Sequence, residues 1–237
     1  PKEILKFNDP AKVSGVFMEQ MKWCSLMGVD NVADLNEMIT NGKFGDLVRI
    51  NEALHEKKVA EIADKIHQKK DKIKVVLIAG PSSSGKTTFA NRLCVQLRVL
   101  GISPHAISLD NYFINREDVP LDEFGNKDFE DINTLDIKQL NEDMTKMIAG
   151  ETVELPYYNF VTGKREYNGE YATLEEEGIF VIEGIHGLND LLTASIPEEN
   201  KFKIFISAMT QLNIDDHNRI STSDSRLIRR IVRDNQF

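Results

Sequence analysis

The stretch "VVLIAGPSSSGKTTFANRL" at residues 75–93 concentrates groups that can hold an anion. From Gly80 to Thr87 it follows the G-x-x-x-x-G-K-[ST] pattern, set between a β-forming run and a helix-forming run. Glycines let the backbone curl until successive N–H groups face one anion. The helix that follows turns its positive N-terminus toward the same anion. Lys86 adds a mobile charge for the β and γ phosphates, and Thr87 offers a hydroxyl to Mg²⁺. Gly80, Ser82, Ser83, Ser84, Gly85, Lys86, Thr87 and Thr88 are therefore expected to bind a nucleoside triphosphate. Nothing in the loop says what is done with it.

Two acids elsewhere could turn binding into reaction. Asp110 follows the β-run "HAISL", and Glu183 lies within "IFVIEG". In open α/β sheets ligands bind beyond the carboxyl ends of the strands, so both are expected beside the phosphate loop. One carboxylate can hold Mg²⁺, directly or through water. The other can take the proton of an attacking hydroxyl. Near the C-terminus, "DSRLIRRIVRD" carries Arg226, Arg229, Arg230 and Arg233. Helical spacing puts Arg226, Arg229 (or Arg230) and Arg233 near one face. A guanidinium binds phosphate bidentately, which suits such a face to a transferring phosphoryl group. A GTP-driven switch is the competing reading, and it requires N-K-x-D. The nearest match, "NKDF" at 126–129, lacks the Asp, and "DEFG" at 122–125 sits in a polar loop.

These residues need elements to position them. Residues 1–73 are expected to be helical, with Asn31 as an N-cap and a long amphipathic stretch ending in basic residues. From Lys74 the texture changes to short β-runs alternating with helices, the pattern of an α/β layered domain with parallel strands. "TVELPYYNF" and "KREYNGEY" bracket "VTG" as a hairpin. The predicted organisation is a helical extension over 1–73 and a nucleotide-binding domain over 74–237. The start at Pro1 and the helical end at Phe237 lead us to expect part of a longer protein.

Composition narrows the partners. The chain has 237 residues, 41% of them hydrophobic, and 29 basic against 38 acidic side chains give a net charge of −9. That balance argues against general affinity for nucleic acid or anionic membrane. The longest apolar runs are strand-length. Two cysteines, Cys24 and Cys94, read as thiols of a reducing compartment, so a cytoplasmic setting is expected.

Taken in order, "GPSSSGKTT", "SLDNYF", "DFEDINTLD", "LPYYNFVTGKR", "FVIEGIHGL" and "DSRLIRRIVRD" resemble the uridine kinase / phosphoribulokinase family of P-loop kinases. The resemblance covers about residues 74–237. It implies a three-layer α/β P-loop NTPase fold with a mainly parallel five-stranded sheet, a substrate hairpin and a lid helix. It implies transfer of the γ-phosphoryl group of ATP, with Mg²⁺, to the 5′-hydroxyl of a nucleoside such as uridine or cytidine. Asp110 would then be the base, with Lys86, Arg226 and Arg229 at the transferring phosphoryl and Thr87 and Glu183 at the metal. Tyr112 or Phe113 would line the acceptor site, Tyr158 would pack on the base, and Glu130 would hold the ribose hydroxyls. Two positions depart from the family: Glu130 replaces an Asp, and Gly163 replaces a hairpin His that contacts the pyrimidine. The alternatives are a kinase for a non-nucleoside alcohol and a nucleotide-binding regulatory module without turnover. A homo-oligomer is compatible with all three.

Overall fold

A computed structural model describes residues 11–121, 123–175, 177–208, 212–215 and 217–235. Among the described residues, six helices are α1 (Ala11–Met27), α2 (Val32–Thr40), α3 (Phe44–His67), α4 (Lys86–Val99), α5 (Ile137–Ile148) and α6 (Thr222–Asp234). The same residues form six strands, β1 (Val75–Ala79), β2 (Ser103–Ser108), β3 (Val153–Asn159), β4 (Lys164–Ala172), β5 (Gly178–Gly184) and β6 (Lys201–Phe205). Packing divides the chain into two compact units, one of 1–54 with 208–237 and one of 55–207.

The 55–207 unit is built on a parallel sheet in the order β2-β5-β1-β6. Its two central strands, β1 and β5, are buried at every position because both faces of the sheet are covered, whereas the edge strands β2 and β6 are partly exposed. Val76, Ile78, Ile179 and Val181 face one way, onto Phe89, Leu93 and Leu97 of α4 and Val59, Ala63 and Ile66 of α3. Val75, Leu77, Phe180 and Ile182 face the other way, onto Leu140, Met144 and Met147 of α5. The spacing of those three residues is one helix face, and Asp136 starts that helix by accepting the N–H of Gln139 at 3.0 Å. The composition boundary at Lys74 and the packing boundary at His55 differ because the last turns of α3 contribute core residues to this unit.

The expected layered parallel fold and hairpin are present, with one correction. Among the described residues the sheet has four strands, not five. Four β-runs outside the hairpin are all the sequence offers; the fifth came from the resemblance alone. β3 and β4 pair only with each other, antiparallel, with Asn159 opposite Lys164 around the turn 160–163.

In the other unit, α2 begins with a capping box between Asn31 and Asp34, and Trp23 Nε1 donates to Asn51 Oδ1 at 2.9 Å. α6 starts on Ser221, whose hydroxyl accepts the N–H of Asp224. Its arginines share one side, and Leu227, Ile228 and Ile231 lie exposed on the opposite side.

Candidate active site

Register fixes where the chemistry gathers. β1, β5 and β2 run in parallel, with Ala79 level with Gly184 and Ser108 level with Glu183. The loop after β1, the end of β5 and the turn after β2 therefore open at one edge of the sheet. This is the carboxyl edge, where open α/β folds bind ligands.

At the start of the phosphate loop, Gly80 has no room for a side chain. A Cβ there would stand 2.1 Å from the carbonyl oxygen of Ile206 and 2.8 Å from Ser84 Oγ. The close approach lets the chain turn sharply out of β1 into α4. Ser84 Oγ is buried inside this turn without a hydrogen-bond partner. Lys86 Nζ donates to the Pro81 carbonyl at 3.3 Å, so the ammonium lies over its own loop. A tight backbone turn, an unsatisfied buried hydroxyl and an ammonium above them suit a polyphosphate, which supplies acceptor oxygens to all three.

The acids are wired to this loop. Glu183 is buried, and its Oε1 accepts hydroxyl hydrogen bonds from Thr87 at 3.1 Å and Ser108 at 3.2 Å. Ser108 Oγ also accepts the N–H of Asp110 at 3.4 Å, which sets the turn that carries the Asp110 carboxyl. Thr87, Glu183, Ser108 and Asp110 thus form one linked chain. Burial pushes the Asp110 carboxyl above the ordinary carboxylate range, the neighbouring Glu183 carboxylate pushes the same way, and Lys86 opposes them. Asp110 therefore lies within electrostatic reach of both the phosphate-loop lysine and Glu183. Among the described residues no cluster of three or more His, Cys, Asp and Glu could enclose a metal ion. Mg²⁺ needs no such cage, since it is usually held by one or two protein oxygens, waters and substrate phosphates. Thr87 Oγ1 and Glu183 fit that role.

Beyond Asp110 a cavity of about 330 Å³ opens between the 110–134 segment and the hairpin, lined by Phe113, Ile114, Arg116, Val119, Phe129, Thr134, Tyr158 and Phe160. Phe113 and Phe160 both meet Tyr158 edge-on, at 5.6 and 5.0 Å between ring centres. The hairpin is tied to the segment after Asp110 by polar contacts. Tyr158 N–H donates to Asn111 Oδ1, and Arg165 N–H donates to Asn115 Oδ1. The N–H of Arg116 donates to the Gly163 carbonyl at 2.8 Å.

The two adjacent aromatics expected at the acceptor site part company. Phe113 lines the cavity, whereas Tyr112 is fully buried in the core and donates its hydroxyl to Asp143 at 3.1 Å. The short 3-10 turn Leu109–Tyr112 ends between them: Tyr112 is its last residue and Phe113 is already in extended backbone, so the two side chains leave in different directions. Tyr158 lines the cavity. Glu130 does not. It is exposed, its N–H donates to Asp128 Oδ1, and its carbonyl lies 2.7 Å from His186 Nε2. Arg226 and Arg229 lie on α6, in the other compact unit. Sequence reasoning missed Ser108, Asn111, Arg116 and Phe160. Only Ser108 carried a usable signal, as a hydroxyl two residues before the acid at a strand end.

The family model described as "Phosphoribulokinase / Uridine kinase family" matches residues 75–236. A protein named uridine kinase from Deinococcus deserti is 26% identical over 162 residues, covering 68% of this chain and 69% of that protein. One from Proteus mirabilis is 31% identical over 148 residues, covering 61% of this chain and 65% of its own length. The match thus spans about two thirds of the length of these relatives. A solved structure, of a candidate fructose transport system kinase from Silicibacter sp., aligns with a TM-score of 0.50 at 14% identity, covering 75% of this chain and 82% of that one. That likeness shows the fold alone.

Proposed function

The chain belongs to the phosphoribulokinase/uridine kinase family of phosphotransferases, and on that premise we propose that it transfers the γ-phosphoryl group of ATP, with Mg²⁺, to the 5′-hydroxyl of a nucleoside such as uridine or cytidine. The observation that carries this reading is the hydrogen-bonded chain Thr87–Glu183–Ser108–Asp110, which ties the Asp110 turn to the phosphate loop; burial and then Glu183 raise the Asp110 carboxyl, and Lys86 opposes them. A raised carboxyl is a stronger base once ionised, which suits it to accept a hydroxyl proton.

In the proposed step, the Asp110 carboxylate takes the proton of the acceptor hydroxyl. The acceptor oxygen bonds to the γ-phosphorus, the bridging oxygen bond breaks, and ADP leaves with its electron pair. Lys86 leaves the Pro81 carbonyl for the phosphate oxygens and offsets charge on the group in transit. Thr87 and Glu183 would hold Mg²⁺, which neutralises the phosphate charges when bound. Arg226 and Arg229 are proposed to reach the same phosphoryl group. The aromatic cavity would hold a flat base, for which ring faces and a few polar groups are the usual lining. Two thiols, Cys94 being buried, agree with a reducing, cytoplasmic setting; no described helix is long and apolar enough to cross a membrane.

The test is an acceptor screen with the full-length protein, ATP and Mg²⁺, offering nucleosides, pantothenate and ribulose 5-phosphate. Production of ADP that depends on uridine or cytidine supports the reading. Stimulation by another alcohol alone assigns the same chemistry to a different acceptor. Absence of stimulation by any of them supports a regulatory module.

A further inference from the structure

Among the described residues that line the aromatic cavity, Arg116 and Tyr158 are the ionisable ones. The Arg116 guanidinium is anchored rather than free to wander. Arg116 Nη2 donates to the Phe160 carbonyl at 3.0 Å, and its own backbone N–H and carbonyl are taken by the Gly163 carbonyl and Lys127 Nζ. Gly163 makes room for it. The backbone there has φ +69, and a Cβ would come within 2.9 Å of Arg116 Cβ and 3.1 Å of Nε. Any other residue at 163 would be strained and would push the arginine off the hairpin turn. Gly163 and Arg116 are therefore two halves of one device, a glycine that lets the side chain of an arginine lining the cavity lie against the hairpin turn.

A guanidinium donates five hydrogen bonds and accepts none, and the Phe160 carbonyl uses one. Arg116 lines the cavity but is exposed, so a ligand seated there can replace water on its remaining donors with acceptors of its own. The rings of Phe113, Phe129, Tyr158 and Phe160 favour a flat ring over a small sugar or sugar acid. Resting on the nucleoside-kinase reading above, we infer that Arg116 is a specificity-determining residue that donates to a carbonyl oxygen on the edge of the acceptor's base. The cavity therefore selects a base by its carbonyl acceptors, with ring stacking supplying affinity that is indifferent to the base.

The test compares uridine with two ribosides of the same ring, one lacking the 4-oxygen and one lacking the 2-oxygen, in steady-state transfer from ATP. In the wild-type protein, kcat/KM for uridine should exceed that for at least one of them by about 10- to 100-fold, the worth of a hydrogen bond to a charged donor. Arg116→Ala should collapse that ratio to within about threefold, mainly by raising KM for uridine with kcat little changed. Gly163→Ala should weaken the same ratio by displacing the arginine, and Arg116→Lys, with one compact charge, should restore only part of it. An Arg116→Ala protein that keeps the ratio, or loses kcat equally for all three ribosides, overturns the inference. If the wild type transfers phosphate to no nucleoside, uridine binding by calorimetry separates the two claims. Binding to wild type and tenfold weaker binding to Arg116→Ala would keep the base-reading role and sink the reaction. Equal binding or none would sink the base-reading role.

Discussion

The phosphate loop takes its groups from consecutive residues, Gly80 to Thr87. The aromatic cavity takes Phe113 and Arg116 from one segment, Phe129 and Thr134 from a second, and Tyr158 and Phe160 from a third. The first is made of backbone and one turn, held by the sheet behind it. The second depends on contacts across the fold, among them the bonds by which Asn111, Asn115 and Arg116 hold the hairpin. A local backbone device can be shared by many reactions. A cavity assembled from distant side chains is where one protein can differ from its relatives.

That contrast yields experiments that affect the two regions differently. The largest effect is expected from Asp110→Asn, which lies between them. Acceptor-dependent turnover should fall by about 10²- to 10⁴-fold, the usual contribution of a positioned base, while equilibrium dialysis with ATP should find binding nearly intact. The same variant should melt at a higher temperature at neutral pH. A carboxyl raised in the folded state binds its proton more tightly folded than unfolded, so its ionisation costs stability as pH rises through that range, and removing the charge recovers it. In the wild type, kcat/KM should rise with pH through a value above the ordinary carboxylate range, and Asp110→Asn should lose that limb. A limb unchanged in the variant would assign the base elsewhere.

Next in size is the cradle. Lys86→Ala should lower turnover by about 10²- to 10³-fold for every acceptor alike, the scale for losing one preorganised electrostatic contact. Equal loss across acceptors is the mark of the phosphate side. Phe160→Ala, by contrast, should raise the acceptor KM about tenfold and leave the KM for ATP unchanged, since one ring face is lost from the cavity. A shift in the ATP KM would show that the two regions are not separable.

The smallest effect sharpens the boundary between cavity and core. Tyr112→Phe removes the buried hydroxyl bond to Asp143 and should cost about 1–3 kcal/mol in a denaturant titration. Its acceptor KM should stay at the wild-type value, because Tyr112 faces α5 and not the cavity. Phe113→Ala should show the converse.

How much of this was legible follows from the same contrast. The phosphate loop could be read because its function is local, written in glycine, serine and lysine spacing. Asp110 and Glu183 could be read because β-runs announce strand ends, and parallel strands bring those ends together. Tyr112 and Phe113 could not be told apart. A 3-10 turn of four residues decides which of them enters the core, and no periodicity marks so short an element. Arg116 carried no signal, since an arginine in a polar loop has meaning only when the hairpin lies against it. Gly163 read as a missing contact, and the structure shows it as space for a side chain from another segment. The fifth strand, taken from the resemblance, had no β-run to support it.

The central claim is that cradle and cavity serve one transfer, with the phosphoryl group passing from ATP to a nucleoside hydroxyl. The most direct measurement is mass spectrometry of the products formed from ATP and uridine by the full-length protein with Mg²⁺. The account predicts uridine 5′-monophosphate and ADP in equal amounts, with no ADP when uridine is left out. ADP accumulating at the same rate without an acceptor, or no nucleotide product with either uridine or cytidine, would contradict it.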